Sequence, residues 1–70
     1  MDFSTALERI KWGQPMSRAE WNDPALYVFR GVPPSAEQLY IHFANGSLAN
    51  WIPRVEDLMA DDWLDVPRIS

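Results

Sequence analysis

The sequence predicts a small α+β domain, an antiparallel sheet with an N-terminal helix and a short C-terminal helix. Three observations lead there: an apolar stripe at helical spacing near the start, stretches of period-two alternation separated by turn residues, and a second helical stripe after a late proline. With 70 residues, the chain can bury only about 60% of its extended surface. It reads as a single domain over residues 1–70, without linker, repeat or low-complexity tract.

Phe3, Ala6, Leu7 and Ile10 recur at helical spacing over residues 3–12, after Asp2 or Ser4 as a cap and before Gly13 as a stop. A helix of about ten residues is marginal alone, so its stripe must pack on a sheet. From Met16 to Trp21, Met16, Arg18 and Glu20 alternate with Ser17, Ala19 and Trp21, the period of a strand. On that reading Arg18 and Trp21 face opposite ways. Asn22-Asp23-Pro24 forms a turn, and Ala25–Arg30 supplies a second strand whose Leu26, Tyr27, Val28 and Phe29 suit a pleated surface. Gly31-Val32-Pro33-Pro34-Ser35 is loop, because consecutive prolines remove two backbone donors. In Leu39–Ala44, Leu39, Ile41 and Phe43 oppose Tyr40, His42 and Ala44, and Asn45-Gly46 supplies the positive φ angles of a type I′ turn into a strand over Leu48–Ile52. Pro53 opens a helical segment of about seven residues carrying Val55, Leu58 and Met59, and Trp63–Val66 adds a last edge strand before Pro67.

Hydrophobic residues at 47% and charged residues at 23% exclude a disordered chain, and no apolar run is long enough to span a membrane. The start, MDFSTALERIK, lacks the basic region and continuous apolar stretch of a secretory leader, which places the expected location in the cytoplasm. A net charge of −4 disfavours duplex nucleic acid and anionic membranes as partners. With no cysteine and one histidine, neither disulfides nor a thiolate metal centre can staple the fold. Subunit association remains, and four Trp, two Tyr and three Phe supply the large side chains for it, so a homo-oligomer is expected.

Catalysis finds little support. His42 has no Ser or Cys partner that the sequence can place, there is no glycine-rich phosphate loop, and the acidic residues Asp57, Asp61, Asp62 and Asp65 lack calcium-loop spacing and read as a solvated rim. The chain is expected to be no enzyme and to need no cofactor. More informative are the tryptophans beside turns and polar residues: Trp21-Asn22, Asn50-Trp51-Ile52-Pro53-Arg54 and Asp61-Asp62-Trp63. An indole face can stack a purine, and neighbouring polar groups can read base edges or neutralise phosphate. Trp21 and Trp51 are stacking candidates, Asn22 and Asp62 edge-reading candidates, and Arg18 and Arg54 phosphate candidates. Asp57 stands between ligand contact and helix capping. Trp21 and Trp51 suit packing as well as stacking, Trp12 reads as core or interface packing, and Arg18 can pair with Glu20 or a cross-strand acid.

The pattern Phe3, Ala6-Leu7, Gly13, Arg18, Trp21-Asn22, then Trp51-Ile52-Pro53 and Asp57-Leu58-Met59-Ala60-Asp61-Asp62-Trp63 resembles the second Thoeris anti-defence family of small phage proteins, over nearly the whole chain. Its most specific part is the closing run of Trp51, Pro53, Asp57, Leu58, Ala60, Asp62 and Trp63; the chain departs from the commoner pattern at Gly31-Val32-Pro33-Pro34. The resemblance implies a homotetrameric sponge that binds glycocyclic ADP-ribose made by bacterial immune TIR enzymes and withholds it uncleaved, in the host cytoplasm if phage-encoded. It also implies that some relatives sequester cyclic dinucleotides in a separate pocket. Two other readings stand beside it: a protein-interaction module of phage or bacterial origin with an aromatic partner-binding surface, and phosphodiesterase-like cleavage of the same signal.

Overall fold

The computed structural model describes residues 1–23, 25–31 and 38–66. Its elements are α1 (Phe3–Lys11), β1 (Met16–Arg18), a 3₁₀ turn (Ala19–Trp21), β2 (Tyr27–Arg30), β3 (Leu39–His42), β4 (Leu48–Asn50), α2 (Val55–Met59) and β5 (Trp63–Asp65). The strands form one antiparallel sheet in the order β4-β3-β2-β1-β5. This is the α+β arrangement that the sequence predicts.

Helix α1 begins where Asp2 Oδ1 accepts the Thr5 N–H at 2.9 Å, and Arg9 and Lys11 in its last turn complement the helix dipole. It stops at Gly13, whose φ of 92° lets the Gly13 and Gln14 N–H groups bond back to Ile10 and Arg9. The register Met16↔Val28↔Ile41↔Ala49 aligns one face of the sheet, and α1 lies on that face over β1, β2 and β5. Ala6 and Ile10 of the helix, with Met16, Val28 and Trp63 of the sheet, make the core. The opposite face carries Tyr27, Phe29, Tyr40 and His42, with the Tyr27 and His42 rings 4.5 Å apart and Phe29 stacked on Tyr40 at 5.8 Å. His42 Nδ1 donates to the Ala25 carbonyl at 2.8 Å.

Several boundaries differ from the periodicity. The alternation from Met16 to Trp21 is two elements: the strand ends at Arg18, because the Ala19 and Glu20 N–H groups turn to Asp62, bonding its backbone oxygen at 3.1 Å and its Oδ2 at 2.9 Å. Strand β2 starts at Tyr27 rather than Ala25, since the Ala25 and Leu26 carbonyls are taken by the His42 and Ser17 side chains. Strands β3 and β4 stop at His42 and Asn50, short of Ala44 and Ile52, and β5 stops at Asp65, short of Val66. The Asn45-Gly46 hairpin closes without a type I′ turn: Gly46 alone has positive φ, at 87°, the Gly46 N–H returns to Phe43, and Asn45 Oδ1 accepts from Ser47. That is a type I turn with a bulged glycine. Trp12 is not in the core; it is 83% exposed, its Nε1 donating to Glu8 at 3.3 Å. Pro24, residues 32–35 and Pro67 lie outside the described residues, and the loop and turn readings that rest on them lie outside with them.

Candidate functional site

Beside α1, at the flank of the sheet formed by β3 and β4, opens a cavity of about 620 Å³, a size suited to a small organic ligand. Ile41 and Phe43 line one side, two residues apart and therefore on one sheet face. Trp21 reaches it from the 3₁₀ turn and Leu26 from the approach to β2. The other wall is the segment Asn50-Trp51-Ile52-Pro53-Arg54 leading into α2, with Glu56 and Asp57 at the helix start.

Both cavity indoles are half-buried and lean on a third. Trp63, buried at 1% exposure, meets Trp21 at 5.6 Å and 79° and Trp51 at 5.9 Å and 81°. Such edge-on contacts hold aromatic rings in a set orientation. Phe3 of α1 closes the cluster, 6.3 Å from Trp51 and 5.6 Å from Trp63. The Trp63 Nε1 donates to the Asp57 carbonyl at 3.1 Å, which ties the buried indole to α2.

Behind the aromatic cluster sits a buried arginine. Arg18 is 8% exposed, and its guanidinium donates from Nε to Asp62 at 2.9 Å, from one terminal nitrogen to Asp57 at 3.2 Å, and from the other to Glu20 at 2.7 Å. The bond to Asp62 is the main cause holding the Arg18 pKa above its ordinary value, although burial opposes it. Burial acts to raise the Asp62 carboxyl, but the bonds from Arg18 and from the Glu20 N–H outweigh it and hold the group below the usual range. Asp57 uses both oxygens as well, one for Arg18 and one for the Arg54 N–H at 2.9 Å, the capping contact that starts α2. Among the described residues no buried side-chain nitrogen or oxygen lacks a hydrogen-bond partner.

Of the seven residues singled out from the sequence, Trp21, Trp51, Arg54 and Asp57 line the large cavity together. Arg18 and Asn22 border a smaller depression of about 300 Å³ with Ser17, Ala19, Asp23 and Leu64. Asp62 belongs to neither lining and is engaged by Arg18 and Glu20. Asp57 caps a helix, which accounts for its place in the sequence pattern. Sequence reasoning missed Leu26, Ile41, Phe43 and Glu56; the alternation that put Ile41 and Phe43 on one face was the signal for two of them. No group of three or more His, Asp or Glu among the described residues is placed to hold a metal ion, and no described helix is long and apolar enough to cross a membrane.

The Thoeris anti-defense 2-like domain family matches residues 1–66. The chain is also similar to Thoeris anti-defense 2 of Bacillus phage SP01, at 25% identity over 81 residues, covering 90% of this chain and 91% of that protein. With the family match running from the first residue of the N-terminal helix region through the last described strand, the chain belongs to the Thoeris anti-defense 2-like family and is an anti-defence protein directed at Thoeris immunity.

Proposed function

We propose that the protein is a non-enzymatic sponge that captures a cyclic ADP-ribose-type immune messenger, glycocyclic ADP-ribose, and withholds it uncleaved from its effector. The observation that carries this reading is the cavity walled by the half-buried indoles Trp21 and Trp51, with Arg54 at its edge. A purine face stacked on an indole gains about 1–3 kcal/mol. Arg54 is paired only loosely, 3.7 Å from Glu56 on the surface, so an incoming phosphate can take that partner's place. His42, hydrogen-bonded to Ala25, lies on the face of the sheet turned away from the cavity, and capture requires no bond to break.

Two further features support the remaining parts of the reading. The aromatic face of Tyr27, Phe29, Tyr40 and His42 and the exposed Ile52, Val55 and Met59 beside the cavity suit contact with further copies, in keeping with a homotetramer. The depression around Asn22 is a candidate place for a second ligand class, the cyclic dinucleotides. Action in the host cytoplasm follows from the messenger's own location. The aromatic face, half-buried in one chain, also favours a second reading, an interaction module for another protein, which expects no thermal shift with any nucleotide.

Mixing the purified protein with glycocyclic ADP-ribose, removing unbound ligand and heating the complex tests the sponge. Intact ligand should return on heating, and Trp51→Ala should lower affinity by about 5- to 150-fold, the loss of one stacked base, while the oligomer survives. Recovery of a cleaved product would make the protein an enzyme. Absence of uptake would favour the interaction module.

A further inference from the structure

Arg18 is the common partner of three segments that build the cavity. It binds Glu20 of the 3₁₀ turn, beside Trp21; Asp62, beside Trp63; and Asp57 of α2, whose other carboxylate oxygen holds the Arg54 N–H at the end of the wall that carries Trp51. The Asp57 carbonyl accepts the Trp63 indole N–H, and Trp63 in turn stands nearly perpendicular to both cavity indoles. Arg18 itself is not part of the cavity lining and borders the smaller depression instead.

From this geometry we infer that Arg18 is a positioning residue for the cavity: through Asp57, Asp62 and Trp63 it sets the separation and tilt of Trp21 and Trp51 without touching the ligand. The inference deepens the sponge reading and takes its ligand from it. The physical reason lies in the planar guanidinium, which sends donors from three nitrogens toward three carboxylates at fixed angles; an ammonium offers the same charge from a single point and cannot span them. Two sheet-side segments and one helix are thereby held at set positions around one guanidinium, and the edge-on ring cluster built on them inherits that arrangement.

Arg18→Lys keeps the charge and removes the fork. The experiment reads the four indole N–H resonances by NMR, with Trp12 as an internal control because it is exposed and its indole N–H donates to Glu8, away from the Arg18 cluster. Expected are displaced signals for Trp21, Trp51 and Trp63, an unmoved Trp12, native secondary structure by circular dichroism, and at least a tenfold weaker hold on cyclic ADP-ribose. A merely stabilising arginine would lower the unfolding midpoint yet leave the folded protein's indole signals in place, which overturns the inference. Unmoved indoles with lost binding overturn it too, making Arg18 a direct ligand contact. If the wild type does not bind the probe, the sponge reading fails while the indole shifts still decide the positioning role. Should Arg18→Lys not fold, Asp62→Asn is read the same way, with unmoved Trp21 and Trp63 signals counting against the inference.

Discussion

The four tryptophans occupy three environments, exposed at Trp12, buried at Trp63 and half-buried on the cavity wall at Trp21 and Trp51, and their substitution separates packing from binding. Trp63 fills the core at 1% exposure and donates its indole N–H to the Asp57 carbonyl, so Trp63→Ala removes a large buried ring and leaves that carbonyl only its longer bond from the Ala60 N–H. About 3–5 kcal/mol is the ordinary cost of such a truncation, a large share of what a chain of this length has to lose. Trp12→Ala, at an 83% exposed site, should change stability by no more than about 0.5 kcal/mol. Urea denaturation of the two variants checks both values, and a Trp12 variant as unstable as the Trp63 one would mean that an interface between copies carries Trp12. At this scale the sequence was only partly legible. The polar neighbours of Trp21 and Trp51 made them stacking candidates without deciding against packing, Trp63 has such neighbours too, and nothing local to Trp12 or Trp63 distinguishes the exposed indole from the buried one. What separates them is contact with Phe3 and Trp21, far along the chain, and the indole bond to Asp57.

Among the elements, those specified by their own residues were read well and those finished by distant groups were not. Helix α1 carries its cap at Asp2, its stripe and its stop at Gly13 within one short window, and it forms within a residue of the expected span. Strand β1 ends early because of Asp62, 42 residues beyond Glu20, a partner that no local pattern can announce. The hairpin between β3 and β4 was legible as a hairpin from Asn45-Gly46, but its turn type was not, since Asn45 serves by its side chain, accepting from Ser47, and not by a left-handed backbone. Gly46 holds φ of 87° with open space where a Cβ would stand. Gly46→Ala should therefore cost about 1–2 kcal/mol through backbone strain alone, measured as a shift in the urea midpoint with an unchanged m-value; a neutral result would place the turn in a different conformation.

The behaviour of the whole molecule with pH follows from the Arg18 cluster. Asp62 ionises more readily in the folded chain than in the unfolded one, where an aspartate titrates near about 3.9. The folded state therefore binds fewer protons across the acid range, so this contribution to stability is present in full above the unfolded pKa and is lost as pH falls through the folded one. Asp2, lowered chiefly by its hydrogen bond from the Thr5 backbone, acts with the same sign. Acidification also relieves the repulsion of a chain whose net charge is −4, an opposing effect shared by every variant. Comparing wild type with Asp62→Asn removes that common part: the gap between their urea midpoints should be constant from pH 8 to about 6 and shrink below about pH 4. A gap that widens on acidification would show that Asp62 is not held ionised by Arg18.

The exposure of Trp12 has an optical consequence. A hydrated indole outside the cavity contributes steady, red-shifted emission that dilutes whatever the three clustered rings report. Replacing it with phenylalanine leaves a chain whose tryptophan emission, excited beyond the absorption of Tyr27 and Tyr40, comes from Trp21, Trp51 and Trp63, and so turns the protein into its own label-free sensor of occupancy.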